Sequence, residues 1–144
     1  MGFFNPEVRY IRDDGIVALK LPIGFATADA APLFRLPSDA TQRLAIDRLF
    51  WEIITGFTGG SSSAIGVSAS QSPYSTKGDL LGGASGDVAA TLVAGVTGGT
   101  IGADFTSNGV IVLNPGAIIR FDRITSAFTA GAGFVHVLGR QIPR

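Results

Sequence analysis

From Gly56 to the C-terminus the chain seldom runs more than a few residues without glycine, serine, threonine or alanine. No amphipathic stripe of helical length survives between those residues, so helix is excluded over most of the chain. What survives are short apolar runs: "AIGVSA" (64–69), "DLLGG" (79–83), "VAATLVAGV" (88–96), "GVIVLNPG" (109–116), "AIIRFDRI" (117–124) and "GFVHVLGRQI" (133–142). Turn residues separate them at intervals near the roughly 8 to 12 residues expected of an antiparallel sandwich or barrel. "SNG" (107–109) and "NPG" (114–116) are explicit turn chemistry. The sequence predicts an all-β chain.

The first third agrees, with one ambiguous piece. "IVALKLPIGF" (16–25) alternates, with Val17, Leu19 and Leu21 on one side, and Pro22 marks a strand end or an edge position. "APLFRLP" (31–37) is too short and proline-bounded for a helix and reads as another strand. "SDATQRLAIDRLFWEIITG" (38–56) fits two structures. As a helix it places Ile46, Leu49, Phe50, Ile53 and Ile54 on one stripe, with Asp39 and Gln42 as a capping box. As a strand it turns Leu49, Trp51 and Ile53 inward and Arg48 and Glu52 to water. "FWEIIT" is aromatic and β-branched, which suits a strand. Periodicity leans slightly to helix.

The 144 residues suit one domain, 46% of them hydrophobic and only 15% charged. An average soluble domain carries about 25% charged residues, so much of this surface is expected to be covered by a partner or by further copies. Net charge is zero and the basic residues are scattered, which argues against nucleic acid as a partner. No apolar stretch approaches the roughly 18 to 20 residues of a membrane helix. The N-terminus lacks the basic-then-apolar order of a secretory signal. Between Leu80 and Ile119 only Asp87 and Asp104 are charged.

Chemistry-bearing motifs are weak throughout. The glycine-serine stretch "TGFTGGSSSAIGVSAS" (55–70) resembles a phosphate-cradling loop only in composition. A P-loop needs Gly-Lys-Ser/Thr opening a helix, and the nearest lysine, Lys77, sits in "STKGDL" in reverse order. "GGTIG" has the wrong spacing for a dinucleotide fingerprint, and "GGASGD" puts Asp87 where a nucleophile elbow needs glycine. The stretch therefore reads as a connection between strands. The single histidine, His136, shares a strand face with Phe134 and Leu138, which points to burial or an interface. Without cysteine, only an oxygen site for calcium or magnesium is chemically open, and "RDDG" (12–15) lacks the loop pattern such a site needs. Trp51 lies in an apolar run and reads as core, not as a sugar platform. The expectation is no catalytic residue, no cofactor and no metal.

Two stretches are candidates for partner contact. Residues 1–15 read as an extended N-terminal arm carrying Phe3, Phe4 and Tyr10, with "VRYIR" able to pair as a short strand. "RFDR" (120–123) places Arg120 and Asp122 on one strand face and Arg123 on the other. It is either a solvated sheet face with a weak ion pair or a subunit contact rich in arginine.

Over residues 52–93, "EIITGFTGGSSSAIGVSASQSPYSTKGDLLGGASGDVAATLV", and 107–142, "SNGVIVLNPGAIIRFDRITSAFTAGAGFVHVLGRQI", the chain resembles a group of small structural proteins of tailed bacteriophages. The matching residues are Phe57, Gly59, Gly60, Ile65 and Gly66, then Gly78, Asp79, Leu80, Leu81, Gly82 and Gly83. Later come Gly109, Gly116, Phe121, Thr129, Gly131 and Gly133. The resemblance covers about residues 31–140 and rests on glycines and core hydrophobes. It implies that "FWEIIT" is a strand. Members of the group are head decoration (cement) proteins or other minor virion proteins.

The combined expectation is a single all-β domain over residues 16–144, an antiparallel β-sandwich or jelly-roll, preceded by the arm at 1–15. The expected role is non-enzymatic: decorating a capsid surface by bridging subunits of the major capsid protein, as a homo-oligomer with a trimer favoured. Its expected location is the virion, assembled in the host cytoplasm, away from nucleic acid and membrane. The alternative is a tail- or fibre-associated adhesin for a host glycan or protein. A small glycan hydrolase is a third and weaker reading.

Overall fold

The computed structural model describes residues 8–11, 15–102 and 109–143. Every regular element among them is a β-strand: β1 (Val8–Ile11), β2 (Ile16–Gly24), β3 (Pro32–Arg35), β4 (Gln42–Thr58), β5 (Ala64–Ala69), β6 (Asp87–Val88), β7 (Thr97–Gly98), β8 (Ile111–Leu113), β9 (Ile118–Arg123) and β10 (Ala130–Pro143). They form two antiparallel sheets. The larger runs β1-β2-β10-β4-β7, with β8 also paired to β4, and the smaller runs β3-β9-β5-β6. No helix among the described residues is long and apolar enough to cross a membrane.

The ambiguous segment is the 17-residue strand β4, which pairs with β10 along its length. Its inward residues Leu49, Trp51 and Ile53 are buried while Arg48 is exposed, as the strand pattern predicts. The helical stripe fails because it would bury Ile54, which is 55% exposed on the opposite face. A period of two satisfies the core with Leu49, Trp51 and Ile53, and β10 supplies the backbone partners that a lone helix would have supplied for itself.

Both sheets turn apolar residues to one shared core. Leu19, Leu21, Val135 and Val137 come from the larger sheet, and Val67, Ile119 and Phe121 from the smaller. Each such side chain contributes about 1.5–3 kcal/mol when removed from water. Pro22 lies in the part of β2 beyond Lys20, the last residue paired with the described part of β1. Its missing N–H is tolerated at such an edge position.

Two apolar runs that the sequence suggests as strands are not strands. "DLLGG" makes only isolated bridges through Leu81, to Val67 and Ile101, and "VAATLVAGV" is mostly turns after Val88. Glycines with positive φ at 78, 82, 83 and 86 bend the chain too sharply for a continuous ladder. The apolar residues still do core work, because Leu80, Leu81 and Leu92 are fully buried.

The stretch at 55–70 is the corner that carries the chain from β4 in one sheet to β5 in the other. Gly59 turns there at φ +93°, and Ser63 is buried with its hydroxyl donating to the Ala127 carbonyl at 2.9 Å. A β-carbon on Gly59 would overlap the Thr129 side chain. Serine and glycine here serve close packing of backbone.

Candidate functional site

The smaller sheet has its outer face covered by its own chain. On that face Gly66 pairs with Asp122 and Ser68 with Arg120 across β5 and β9. The loop 75–83 lies over them: Gly78 N–H donates to Asp122 Oδ2 at 2.9 Å, and Arg120 donates to the carbonyls of Ala69 and Ser75, both at 2.9 Å. Ser68 Oγ donates to Asp122 Oδ1 at 3.0 Å. Gly66 has no room for a side chain, since a β-carbon would sit 2.7 Å from the Leu81 carbonyl oxygen.

Beside this cluster, Lys77 meets Asp29 at 2.8 Å and donates to the Arg123 carbonyl at 2.7 Å, while the Arg123 amide donates to Asp29 Oδ1 at 2.8 Å. Slight burial works against the Asp29 charge, yet the Lys77 hydrogen bond, the Arg123 amide and the Lys77 charge together hold its carboxyl below the ordinary range. Arg123 also donates to the Thr27 carbonyl at 3.0 Å. The sequence thus brings Arg120, Asp122 and Arg123 together, and the fold gives them internal partners. Asp122 is buried, and Arg120 and Arg123 are half-buried. Phe3 and Phe4 lie outside the described residues, and the Tyr10 backbone pairs with Ala18 in the β1–β2 ladder.

Burial pushes the Asp122 carboxyl above its ordinary value of 3.8, against the pull of the Gly78 amide, the Ser68 hydroxyl and the Arg120 charge. A raised acid binds its proton more tightly in the folded chain than in the unfolded one. Its contribution to stability therefore grows as pH falls through the raised value toward 3.8, and is unfavourable above that window. Asp122→Asn should accordingly gain on the wild type as pH rises from about 4 to about 7, whereas Asp122→Ala should lose about 2 kcal/mol at neutral pH by stranding the Gly78 N–H. Urea unfolding at the two pH values reads both effects; an Asn variant whose relative stability falls with rising pH would refute the assignment.

A second buried carboxylate ties the two sheets together. Asp87, in β6 of the smaller sheet, accepts the Trp51 indole N–H from β4 of the larger at 2.7 Å. It also accepts the Thr100 hydroxyl at 2.6 Å and the Thr100 amide at 3.1 Å. Trp51 is buried in the core, as its apolar run predicts, whereas its partner Asp87 lies 36 positions away in the chain. The available signal was that Asp87 is one of only two charges between Leu80 and Ile119, in a chain with one tryptophan.

The outer face of the larger sheet is open. Three strands set a grid there: Ala18, Leu138 and Arg48 form one row, Lys20, His136 and Phe50 the next, Pro22, Phe134 and Glu52 the third. His136 Nε2 lies 2.7 Å from Glu52 Oε1 and its ring stacks on Phe50 at 4.9 Å. The Arg48 guanidinium stands 4.6 Å from the Phe50 ring centre, and the Lys20 ammonium 4.3 Å from that of Phe134. The His136 hydrogen bond holds the Glu52 carboxyl below its usual range against slight desolvation, with the His136 and Lys20 charges adding to the effect. His136 does share its face with Phe134 and Leu138, and it is half-buried. Its carboxylate partner is 84 positions away in the chain, a separation no spacing motif spans.

At one end of this face a shallow groove of about 290 Å³ is lined by Ile16, Ala18, Leu138 and the Asp47–Arg140 ion pair of 3.4 Å. Among the described residues no group of three or more His, Cys, Asp or Glu could hold a metal ion. The open face offers flat aromatic surface, mixed charge and one imidazole–carboxylate pair. No family model, no curated protein and no solved structure matches this chain.

Proposed function

We propose that this protein is a non-enzymatic structural component of a tailed-bacteriophage virion, decorating the capsid surface and stabilising it by bridging neighbouring subunits of the major capsid protein. In this reading the two sheets are a β-sandwich of jelly-roll type, and residues 1–15 are its arm. The resemblance of residues 31–140 to small phage structural proteins supports it. So does the placement of the shared glycines at corners and close approaches, which ties the resemblance to fold.

The observation that carries the docking mechanism is β1. It is the end strand of the larger sheet, paired with β2 on one side and with no described strand on the other. An unpaired strand edge is a template for strand addition by another chain. In the sequence Phe3 and Phe4 precede it, and Tyr10 stands within it. Arg120 and Arg123, both half-buried, can add the exposed portions of their side chains to a contact beside the loop 75–83, which Asp122 holds over this face. Many copies on a symmetric shell multiply a modest contact by avidity.

Deleting residues 1–15 removes β1 and leaves β2 as the edge. The expected result is a folded body, by circular dichroism, that no longer binds shells lacking the protein. Undiminished binding by the deleted form would sink the mechanism. Copy number in purified particles tests the role itself, since decoration requires hundreds of copies.

The grid of Phe50, Phe134, His136 and Glu52 favours a second reading, an adhesin for a host glycan or protein. Aromatic faces beside hydrogen-bonding groups suit that chemistry. A few copies per particle, together with binding of the isolated protein to host cells, would select it.

A further inference from the structure

The groove on the open face of the larger sheet lies where the β10–β4 ladder shifts register between Leu138 and Gly139. Gly139 brings no side chain, and Val17 sends its own into the core, which leaves room between Ile16 and Leu138. The space of about 290 Å³ takes one apolar side chain. Arg48 stands opposite Leu138 in the ladder, and Arg140 lines the groove itself.

The surface around the groove is basic. Lys20, Arg43, Arg48 and Arg140 stand on this face against Asp47 and Glu52. Arg43 falls on this side because Leu44, the next residue of the strand, is buried in the core. Both acids are already engaged, Asp47 by Arg140 at 3.4 Å and Glu52 by His136 at 2.7 Å. Lys20 and Arg48 instead lie over the rings of Phe134 and Phe50, and among the described residues neither is in an ion pair. A cation over a ring donates no hydrogen bond to it, so its N–H groups remain for a carboxylate. Arg140 gives one donor to Asp47 and, as a guanidinium, has others. The chain as a whole is neutral, so the basic excess belongs to this face and not to the composition.

We propose that this part of the open face binds an acidic polypeptide segment of a partner protein, with one apolar side chain of the segment in the groove and its carboxylates on Arg48 and Arg140. The basic excess selects an anion and steers its approach. The groove selects among anions. A sugar acid or a nucleic acid brings negative charge without an apolar side chain beside it, whereas a polypeptide supplies both within a few residues. The assignment names the chemistry of the partner and depends on neither reading of the role above.

Fluorescence anisotropy with the full chain is the test, and the probe is a labelled peptide of repeated Glu-Glu-Leu. It should bind at least about 10-fold more tightly than peptides of repeated Glu-Glu-Ser or Gln-Gln-Leu, and more weakly as salt rises. Arg48→Gln combined with Arg140→Gln should weaken binding at least about 10-fold, with an unchanged circular dichroism spectrum. Ala18→Leu fills the groove without altering charge and should reduce the affinity to that of the Glu-Glu-Ser peptide. Lys77→Gln removes a cation beside the other sheet and should leave binding intact. Absence of binding, equal affinity for the leucine and serine peptides, or indifference to both face variants would overturn the proposal. So would heparin or duplex DNA bound as tightly as the peptide and unaffected by Ala18→Leu, which would reduce the face to a general polyanion surface. A chain that binds the peptide but no shell supports this assignment against the decoration reading; one that binds shells but not the peptide does the reverse.

Discussion

Replacing Asp87 with alanine is expected to remove about 3–5 kcal/mol of folding stability. The carboxylate accepts three hydrogen bonds in a buried position, from the Trp51 indole and from the amide and hydroxyl of Thr100. Alanine leaves the indole donor with no acceptor and no water, and each stranded buried donor costs about 1–3 kcal/mol. It also frees Thr100, and with it the segment that joins β7 to Leu81. Since a domain of this size has a net stability of about 5–15 kcal/mol, the variant should unfold at much lower urea concentration. Asparagine should lose less, about 1–2 kcal/mol, because one oxygen still accepts while the amide nitrogen faces a donor. A cycle with Trp51→Phe isolates the indole contact: the two changes together should cost less than their sum. A loss under about 1 kcal/mol in Asp87→Ala would show that the sheets are joined by apolar packing alone.

Gly78→Ala should be comparably damaging, at about 3–5 kcal/mol, for a backbone reason. Gly78 has φ +79°, and a β-carbon there would overlap the Gly83 carbonyl oxygen. Backbone cannot step aside as a flexible side chain can, so the loop must open and the Gly78 N–H must leave Asp122. That exposes the Asp122 and Arg120 cluster and the Leu80 and Leu81 plugs together. Gly95→Ala is the matched comparison: it has φ +85° but no atom near the added carbon, so it should cost only the conformational penalty of about 1 kcal/mol. Thermal melts of the two variants side by side decide it. Equal losses would mean that the conformation, and not the close approach, dominates at Gly78.

These two positions mark where sequence reasoning stops. The class of the fold was legible, because the glycine and serine spacing forbids helices and the alternation in 16–25 and 133–142 has the period of strands. The segment 42–58 was legible only in part. A run such as "IDRLFWEII" satisfies both periods, and the choice belongs to β10, which offers a partner strand along the whole length of β4. The loops were misread in kind: "DLLGG" and "VAATLVAGV" have the composition of strands, but their leucines plug the core from turns.

The side-chain clusters were hidden for a different reason. Asp122 and Arg120 read as a surface patch because they sit in an exposed-looking alternation on β9. The loop that covers them comes from 75–83, more than 35 residues earlier in the chain. Asp87 to Trp51, and His136 to Glu52, likewise join positions 36 and 84 apart. Local pattern carries no information about such pairs.

By itself, the order of amino acids settled that most of this chain makes strands, where several of its turns fall, and that its surface would be short of charge. Those properties are local or compositional, fixed by side-chain period and by which residues tolerate positive φ. Only the folded arrangement decided which carboxylates are buried fasteners and which strand stands at the sheet edge. Burial is a property of what lies on top of a residue, and long-range packing alone determines that.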